Sequence, residues 1–211
     1  MTEITSILGI AAAICVGAAS PGPSFLMIAR TAASAGRANG LNAAFGMGLG
    51  ALLFAVASLL GLNAIFIAVP SLYVALKLAG GLYLAYLGLR IWRGAGQPLN
   101  ISASNSPKHS SRHPSFFFLG LATQVSNPKT AIVYASVFAA FLPASPSIQY
   151  NLVVVFLVFF IEAGWYAIVA TALSAEAPRN TYLRYKKWVD RSAGSIMGAL
   201  GVKLATSASH P

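Results

Sequence analysis

Three long stretches of the chain, residues 4–29, 38–76 and 130–161, contain no Asp, Glu, Lys or Arg. A membrane-spanning helix needs about 20 apolar residues, because the hydrocarbon core is about 30 Å thick and each helical residue rises about 1.5 Å. The two longer stretches must therefore be interrupted. Pro70 interrupts one, and the pair Pro143 and Pro146 interrupts the other; both positions are typical of loops.

This pattern predicts an all-α, polytopic membrane protein with six transmembrane helices. The predicted spans are 4–29, 38–62, 71–92, 115–140, 149–174 and 192–208. The sixth is short and includes Lys203. The first is not expected to be a cleaved signal peptide, because its apolar stretch is too long and its first basic residue, Arg30, follows that stretch instead of preceding it.

The composition excludes a soluble domain of ordinary type. Charged residues make up 9% of the 211 residues, whereas a soluble domain has roughly 25%. Hydrophobic residues reach 57%, and the mean hydropathy is +0.71. The single cysteine, Cys15, excludes an internal disulfide, a multi-cysteine metal site and a dithiol redox pair.

The formal net charge of +10 would ordinarily suggest a nucleic acid or another acidic partner. With six spans, however, eleven of the fourteen basic residues fall in or beside the loops after spans one, three and five. They are Arg30, Arg37, Arg90, Arg93, Lys108, Arg112, Arg179, Arg184, Lys186, Lys187 and Arg191. Basic loops remain in the cytoplasm. We therefore predict that both termini are periplasmic and that nucleic acid is not a partner.

Residues 94–114 are rich in Ser, Asn and Pro and are predicted to form a cytoplasmic linker. The linker separates two units of three spans each, residues 1–93 and 115–211. His109 and His113 lie within it at a spacing of four. A metal pair at that spacing needs a helix, so a solvated linker is favoured over a metal site, and no cofactor is expected.

The two units share sequence features that indicate an internal repeat. Pro21 in the first span and Pro128 in the fourth align at an offset of 107 residues, and Gly80 and Gly194 of spans three and six align at an offset of 114. A duplicated unit with three spans must enter the membrane in the opposite direction. Many secondary transporters are inverted repeats of this kind, with substrate sites where their helices are broken.

Both proline motifs fall near the middle of their spans, which predicts that helices one and four are broken. Such breaks must face protein or a water-filled cavity. Half-helices that begin near Pro23 and Pro128 would direct partial positive charge into that cavity, which suits a carboxylate. A plain proline kink is the alternative for either motif alone, whereas the matched pair favours a site. The candidate substrate-binding residues are Pro21, Gly22, Pro23, Ser24, Asn127, Pro128 and Lys129.

Two ionisable residues, Lys129 and Glu162, lie deep within predicted spans. A charge there costs at least ~2.5–3.5 kcal/mol on insertion scales, so such residues are usually functional. Our hypothesis is that Glu162 carries a proton or binds a substrate ammonium group and that Lys129 binds a carboxylate. A Lys129–Glu162 ion pair that only locks the helix bundle is the structural alternative, and the two interpretations are compatible.

Three motifs match a known family. The chain has Pro21-Gly22-Pro23 in span one, Gly81-Leu-Tyr-Leu-Ala-Tyr-Leu-Gly88 in span three and Asn127-Pro128-Lys129 in span four. Together they resemble the lysine exporter (LysE) family, and within it the homoserine/threonine exporter (RhtB) subgroup, over about residues 5–205. The resemblance implies a six-span protein of the bacterial inner membrane that exports amino acids or their derivatives, driven by the proton gradient. Many members have Asn or Asp where this chain has Ser24, and often an acidic residue at the place of Glu162.

The leading hypothesis is a secondary transporter that exports small amino acids or derivatives, such as homoserine, threonine or leucine-like molecules, by proton antiport. Its expected partners are that substrate, protons and the lipid bilayer, and association into a homo-oligomer stays open. The alternative is an exporter of metal or other small ions of similar three-plus-three design. That would need several carboxylates, His or Cys in the spans, which contain only Glu162 and Cys15.

Two further classes of protein are alternatives to a transporter. A membrane enzyme is not expected, because the spans contain no Cys pair, His or paired carboxylates. A structural membrane scaffold stays open, although the repeated breaks and the intramembrane Glu162 argue against it.

Overall fold

A computed structural model describes residues 2–68, 72–97 and 115–207, and all regular structure within those ranges is helical. The helices are α1 (Glu3–Ala19), α2 (Pro23–Ala35), α3 (Arg37–Ala68), α4 (Leu72–Gly94), α5 (Phe116–Val125), α6 (Pro128–Phe141), α7 (Ile148–Leu173) and α8 (Glu176–Ser207). The loop predicted at Pro70 lies outside the described residues, as does most of the predicted linker with His109 and His113.

Three of these helices, α3, α4 and α7, are long and apolar enough to cross a membrane. The bent pair α1 and α2, which turns through 56°, adds a fourth candidate span. Large apolar side chains project from this bundle into the surroundings: Leu60, Phe160 and Ile168 are 68%, 67% and 61% exposed. Lipid tails would cover such a surface, whereas water would leave it unfavourably hydrated. The chain therefore has the character of a multi-pass membrane protein.

Two interruptions divide helices at the proline motifs. α1 ends at Ala19 and α2 begins at Pro23, while α5 ends at Val125 and α6 begins at Pro128. Proline has no N–H group and so cannot continue the hydrogen-bond ladder of the preceding helix. The same residue suits the first position of a new helix, where no intrahelical donor is needed and the fixed φ is already helical. Each motif thus ends one helix and begins the next.

Three helix pairs pack in antiparallel fashion through small residues. On α4 and α8, Gly81 lies against Gly201 and Gly88 lies against Gly194. On α3 and α7, Gly40 lies against Ala170 and Gly48 against Ala163. On α1 and α6, Gly9 lies against Phe141 and Gly17 against Val133. In each pair the residue number rises along one helix as it falls along the other, so the partners run in opposite directions.

We expect Gly88→Ala to destabilise the α4–α8 pair. A Cβ atom at Gly88 would lie 2.6 Å from the carbonyl oxygen of Gly194 and closer still to the backbone nitrogen of Gly198. Backbone cannot move aside as a flexible side chain can, so the loss should be at least ~2 kcal/mol, in the range of overpacked cores. Thermal denaturation in detergent measures it. Gly198→Ala is the matched control, since a Cβ there meets no atom within 4 Å; equal Tm values for the two variants would contradict the expectation.

Helix α8 begins at Glu176, well before the predicted start of span six at residue 192. The charged residues that suggested a loop lie on the helix instead. Lys186 donates to Asp190 Oδ2 at 2.6 Å, one helical turn away, and both residues are buried. Arg191 lies over the ring of Trp92, 5.0 Å from its centroid. Because Lys186 and Asp190 pair within the helix and Arg191 lies against Trp92 of α4, this charged segment is compatible with helical structure.

Candidate functional site

The two interruptions and Glu162 surround one small internal space, here called the inner cavity. Its volume is about 20 Å³, room for roughly one water molecule. The predicted site residues that line it are Gly22, Ser24, Asn127, Lys129 and Glu162. Tyr134 of α6 and Tyr166 of α7 also line it. The space is too small for an amino acid in this conformation.

A second space, here called the vestibule, adjoins the inner cavity and is far larger, about 540 Å³. That volume lies within the range of small-molecule sites, about 300–1,000 Å³. The vestibule lies between the two interruptions on one side and α4 and α8 on the other, and Pro21, Pro23 and Pro128 line it. The two spaces share Ser20, Gly22, Asn127 and Lys129 as lining residues. Each of the eight residues predicted from the sequence therefore lines one space or both.

Lys129 stands where the two spaces adjoin, and its position follows from the missing donor of Pro21. In an uninterrupted helix the N–H of residue 21 would bond the carbonyl of Gly17, but proline has none. Lys129 Nζ takes that place: it donates to the carbonyl oxygen of Gly17 at 3.2 Å and to that of Ser20 at 2.7 Å. A residue of the second interruption thus satisfies the backbone of the first.

The two half-helices that follow the interruptions differ at their N-termini. Asn127 caps α6, since its Oδ1 accepts a hydrogen bond from the backbone N–H of Lys129 at 3.0 Å. Gly22 precedes α2 and has no side chain that could cap it. The first backbone N–H groups of α2, those of Ser24 and Phe25, belong to residues that line the inner cavity. The N-terminus of α2 is therefore the one suited to an anionic group, because no capping side chain accepts a hydrogen bond from its first N–H groups.

The surroundings of Gly22 constrain a side chain there more than its own backbone does. Its φ of −154° is extended, a conformation that any residue can adopt. A Cβ atom at Gly22 would lie 3.2 Å from Cδ and 3.4 Å from Nζ of Lys129. A side chain at residue 22 would therefore crowd Lys129 where it bonds the carbonyls of Gly17 and Ser20.

Glu162 lies on the uninterrupted helix α7 and is 4% exposed. Its Oε1 accepts a hydrogen bond from the Tyr134 hydroxyl at 3.1 Å, and its Oε2 accepts one from Gln124 Nε2 at 3.2 Å. Within the described part of the chain it makes no ion pair with Lys129; the ion pair found there joins Lys186 and Asp190. The direct Lys129–Glu162 pair considered from the sequence is therefore not formed in this conformation, although both side chains line the inner cavity.

The residues of this site that were not anticipated from the sequence include Gln124, Thr130, Tyr134 and Tyr166. Tyr134 could have been found from Asn127, because residues 127, 130 and 134 follow the three-and-four spacing of one helix face, and all three line the inner cavity. The sequence signal for Gln124 is weaker: it is an amide side chain within a short apolar helix. Among the residues that the structure describes, no group of three or more His, Cys, Asp or Glu could hold a metal ion.

Comparison with known proteins identifies the family of this chain. Residues 15–208 match the family model described as LysE type translocator. The threonine efflux proteins of Salmonella typhi and of Escherichia coli strain K12 are each 30% identical to the chain over 188 residues, which cover 89% of this chain and 91% of theirs. An uncharacterised membrane protein of Haemophilus influenzae is 28% identical over 190 residues, 89% of this chain and 90% of its own. No solved structure matches the chain.

Proposed function

Since the chain belongs to the LysE type translocator family, we propose that it exports small amino acids across the bacterial inner membrane in exchange for protons. The family and the threonine efflux relatives are transporters, so the chain is an amino-acid exporter of this family and not an enzyme. The proton coupling, the substrate and the roles of individual residues are the proposal.

One observation carries it: a cation and an acid from different helices line the same internal cavity without pairing. Lys129 and Glu162 both line the inner cavity, and within the described residues they form no ion pair. An amino acid at neutral pH has an ammonium group and a carboxylate a few ångströms apart. Such a molecule would place its carboxylate at Lys129 and at the N-terminus of α2, and its ammonium group at Glu162.

Glu162 would then bind the substrate and the proton in turn. When the carboxylate is charged it attracts the substrate ammonium group, and when it is protonated that attraction is lost. Proton and substrate therefore compete for one side chain, which is the simplest basis for an exchange of the two. The small polar wall formed by Ser24, Asn127 and Thr130 suits a small substrate such as threonine or homoserine, in keeping with the substrate named for the efflux relatives.

For the architecture we propose six membrane crossings arranged as two inverted units, residues 1–93 and 115–211, joined by the linker at 94–114. The bent pair α1–α2 would form one crossing and α5–α6 its counterpart. The antiparallel pairs support this arrangement, since α1 with α6, α3 with α7 and α4 with α8 each join helices at corresponding places of the two units. Corresponding helices of an inverted repeat must run in opposite directions.

With both termini periplasmic, the vestibule would open to the cytoplasm. Its outer end is lined by Arg90 and Gln97 near the C-terminal end of α4 and by Lys186 and Asp190 of α8, all on the side where basic residues are concentrated. An exporter loads its substrate from that side, so in this conformation the vestibule would admit the substrate, and the inner cavity would have to widen before the substrate reaches Glu162.

Transport into inverted membrane vesicles tests the function. The interior of such vesicles corresponds to the periplasm, so acidifying it supplies the gradient that drives export. We expect labelled threonine or homoserine to accumulate inside and a protonophore to abolish the accumulation, with vesicles from cells that lack the protein as the blank. If no amino acid in a panel accumulates in response to the gradient, the proposed function is wrong.

Orientation has a separate test. A tag placed after residue 211 should be modified by a membrane-impermeant reagent in right-side-out spheroplasts, and it should be protected in inverted vesicles. The opposite result would place the termini in the cytoplasm and turn the vestibule toward the periplasm.

A further inference from the structure

A continuous chain of hydrogen bonds joins both helix interruptions to Glu162. The backbone N–H of Lys129 donates to Asn127 Oδ1 at 3.0 Å, and Asn127 Nδ2 donates to Ser24 Oγ at 2.8 Å. Ser24 Oγ donates to Gln124 Oε1 at 2.8 Å, and Gln124 Nε2 donates to Glu162 Oε2 at 3.2 Å. The side chains Asn127, Ser24, Gln124 and Glu162 come from four different segments of the chain, and all are buried.

The direction of the first two bonds in this chain follows from its first member. A backbone N–H can only donate, so the oxygen of the Asn127 amide must face Lys129 and its nitrogen must face Ser24. The Ser24 oxygen then accepts from Asn127, and its single hydrogen faces two acceptors, Gln124 Oε1 and the hydroxyl of Tyr166 on α7. That leaves the nitrogen of Gln124 pointing at Glu162. Glu162 Oε2 therefore faces a hydrogen-bond donor, and the chain of bonds that orients this donor begins at the starts of α6 and α2.

We propose that Gln124 is a positioning residue that couples the charge of Glu162 to the starts of α2 and α6. This inference deepens the proposed function and rests on it. Gln124 is not among the residues that line the inner cavity or the vestibule, so its role is to link Glu162 to Ser24 and Asn127, and not to touch substrate.

Protonation of Glu162 at Oε2 conflicts with this arrangement. The new O–H must donate, but the facing Gln124 nitrogen can only donate as well. Turning the Gln124 amide over supplies the acceptor, but it also presents the Gln124 nitrogen to Ser24 and leaves the Ser24 hydrogen with the Tyr166 hydroxyl as its acceptor. A proton on Glu162 would therefore change the hydrogen bonds of Ser24 on α2, whose oxygen would accept from both Gln124 and Asn127. Proton binding would in this way reach the starts of α2 and α6, which line the inner cavity.

Glu162 can instead take up its proton at the other carboxylate oxygen, Oε1. The Tyr134 hydroxyl, which donates to Oε1, can also accept, so a proton at Oε1 could be held without turning Gln124. That route ends on α6 and does not include Ser24 or Asn127. Besides Tyr134, three titratable groups of the described residues interact electrostatically with Glu162. They are Lys129 on α6, Cys15 on α1 and Tyr166 on α7 itself.

The test compares two transport modes in vesicles that contain Gln124→Met. Exchange of labelled for unlabelled threonine at equal pH on both sides needs substrate binding and reorientation but no proton movement. Accumulation driven by a pH gradient needs the coupling. We expect Gln124→Met to keep exchange within about threefold of the unmodified protein and to lose at least tenfold in gradient-driven accumulation. Thr123→Val is the matched control on α5, because the Thr123 hydroxyl donates to the Leu119 carbonyl of its own helix and is not part of the hydrogen-bond chain to Glu162, and it should retain both modes.

A second variant keeps the side-chain shape. Gln124→Glu places a second carboxyl group beside Glu162, and two neighbouring carboxylates resist being charged together. The pH at which exchange is half-maximal should therefore move upward by about one unit or more, a shift that a purely structural role of Gln124 would not produce.

The outcomes separate the two proposals. If the unmodified protein exchanges threonine but does not respond to a gradient, proton antiport is wrong, whatever the variants do. If the unmodified protein responds and Gln124→Met responds equally, only the role of Gln124 is overturned. Loss of gradient response in Tyr134→Phe but not in Gln124→Met would assign the coupling to Tyr134. Loss of exchange and accumulation alike in Gln124→Met, together with an unchanged pH profile in Gln124→Glu, would also overturn the proposal.

Discussion

Glu162→Gln is expected to abolish gradient-driven export. Glutamine has the shape of glutamate but takes up no proton, and it offers a neutral oxygen to the substrate ammonium group where Glu162 offers a charged one. A hydrogen bond to a charged partner contributes about 1.5–3 kcal/mol, so substrate binding should weaken roughly 10- to 100-fold. Accumulation of labelled threonine in inverted vesicles and the concentration dependence of exchange measure the two effects separately.

Glu176→Gln is the matched control for this experiment. It makes the same chemical change at an exposed acid in the first turn of α8 that lines neither the inner cavity nor the vestibule, and it should transport like the unmodified protein. Full gradient-driven accumulation in Glu162→Gln would remove Glu162 from the coupling mechanism. The Gln124 proposal would fall with it, since that proposal depends on a proton at Glu162.

Lys129→Met is expected to weaken both the fold and substrate binding. Methionine is similar in length but donates no hydrogen bond, so the carbonyls of Gly17 and Ser20 would lose the partner that Lys129 gives them. An unsatisfied buried acceptor costs about 1–3 kcal/mol, which predicts a loss of about 2–4 kcal/mol after partial relaxation and a clearly lower Tm in detergent. Transport should show a raised KM, because the cation proposed to bind the substrate carboxylate is gone.

Lys187→Met, at an exposed position on α8, controls for the loss of one positive charge. Lys129→Arg gives a further comparison, since arginine keeps the charge but replaces a compact ammonium group with a broad planar one. If Lys129→Met matches the unmodified protein in Tm and in KM, Lys129 neither stabilises the interruption nor binds substrate. A lower Tm with an unchanged KM would leave it a structural role alone.

The sequence allowed the helix interruptions and their residues to be predicted because their causes are local. A proline lacks its N–H wherever it stands, so Pro21 and Pro128 mark their positions without knowledge of the fold. Glu162 was found for a similar reason, since a lone acid in an apolar stretch is conspicuous. These are properties of single residues and their immediate neighbours.

What the sequence did not indicate depends on contacts between distant segments. Lys129 meets carbonyls of α1 more than 100 residues earlier in the chain, and no local pattern names that partner. Gln124 matters because Ser24 and Glu162 approach it from opposite sides. The early start of α8 was missed because Lys186 and Asp190 neutralise each other only once the segment is helical. Pairing of this kind follows from the fold and cannot be seen in composition.

The contact between Gly22 and Lys129 has a consequence for how such a protein could arise. At the offset of 107 that aligns Pro21 with Pro128, Gly22 and Lys129 are equivalent positions in the proposed repeat, and they are also neighbours in space. A symmetric dimer of identical three-span chains would have to place the same residue twice at this point: two lysines would collide and repel, and two glycines would leave no cation. Fusion into one polypeptide removes that restriction, because each copy can then evolve separately, one supplying the charge and the other the room for it.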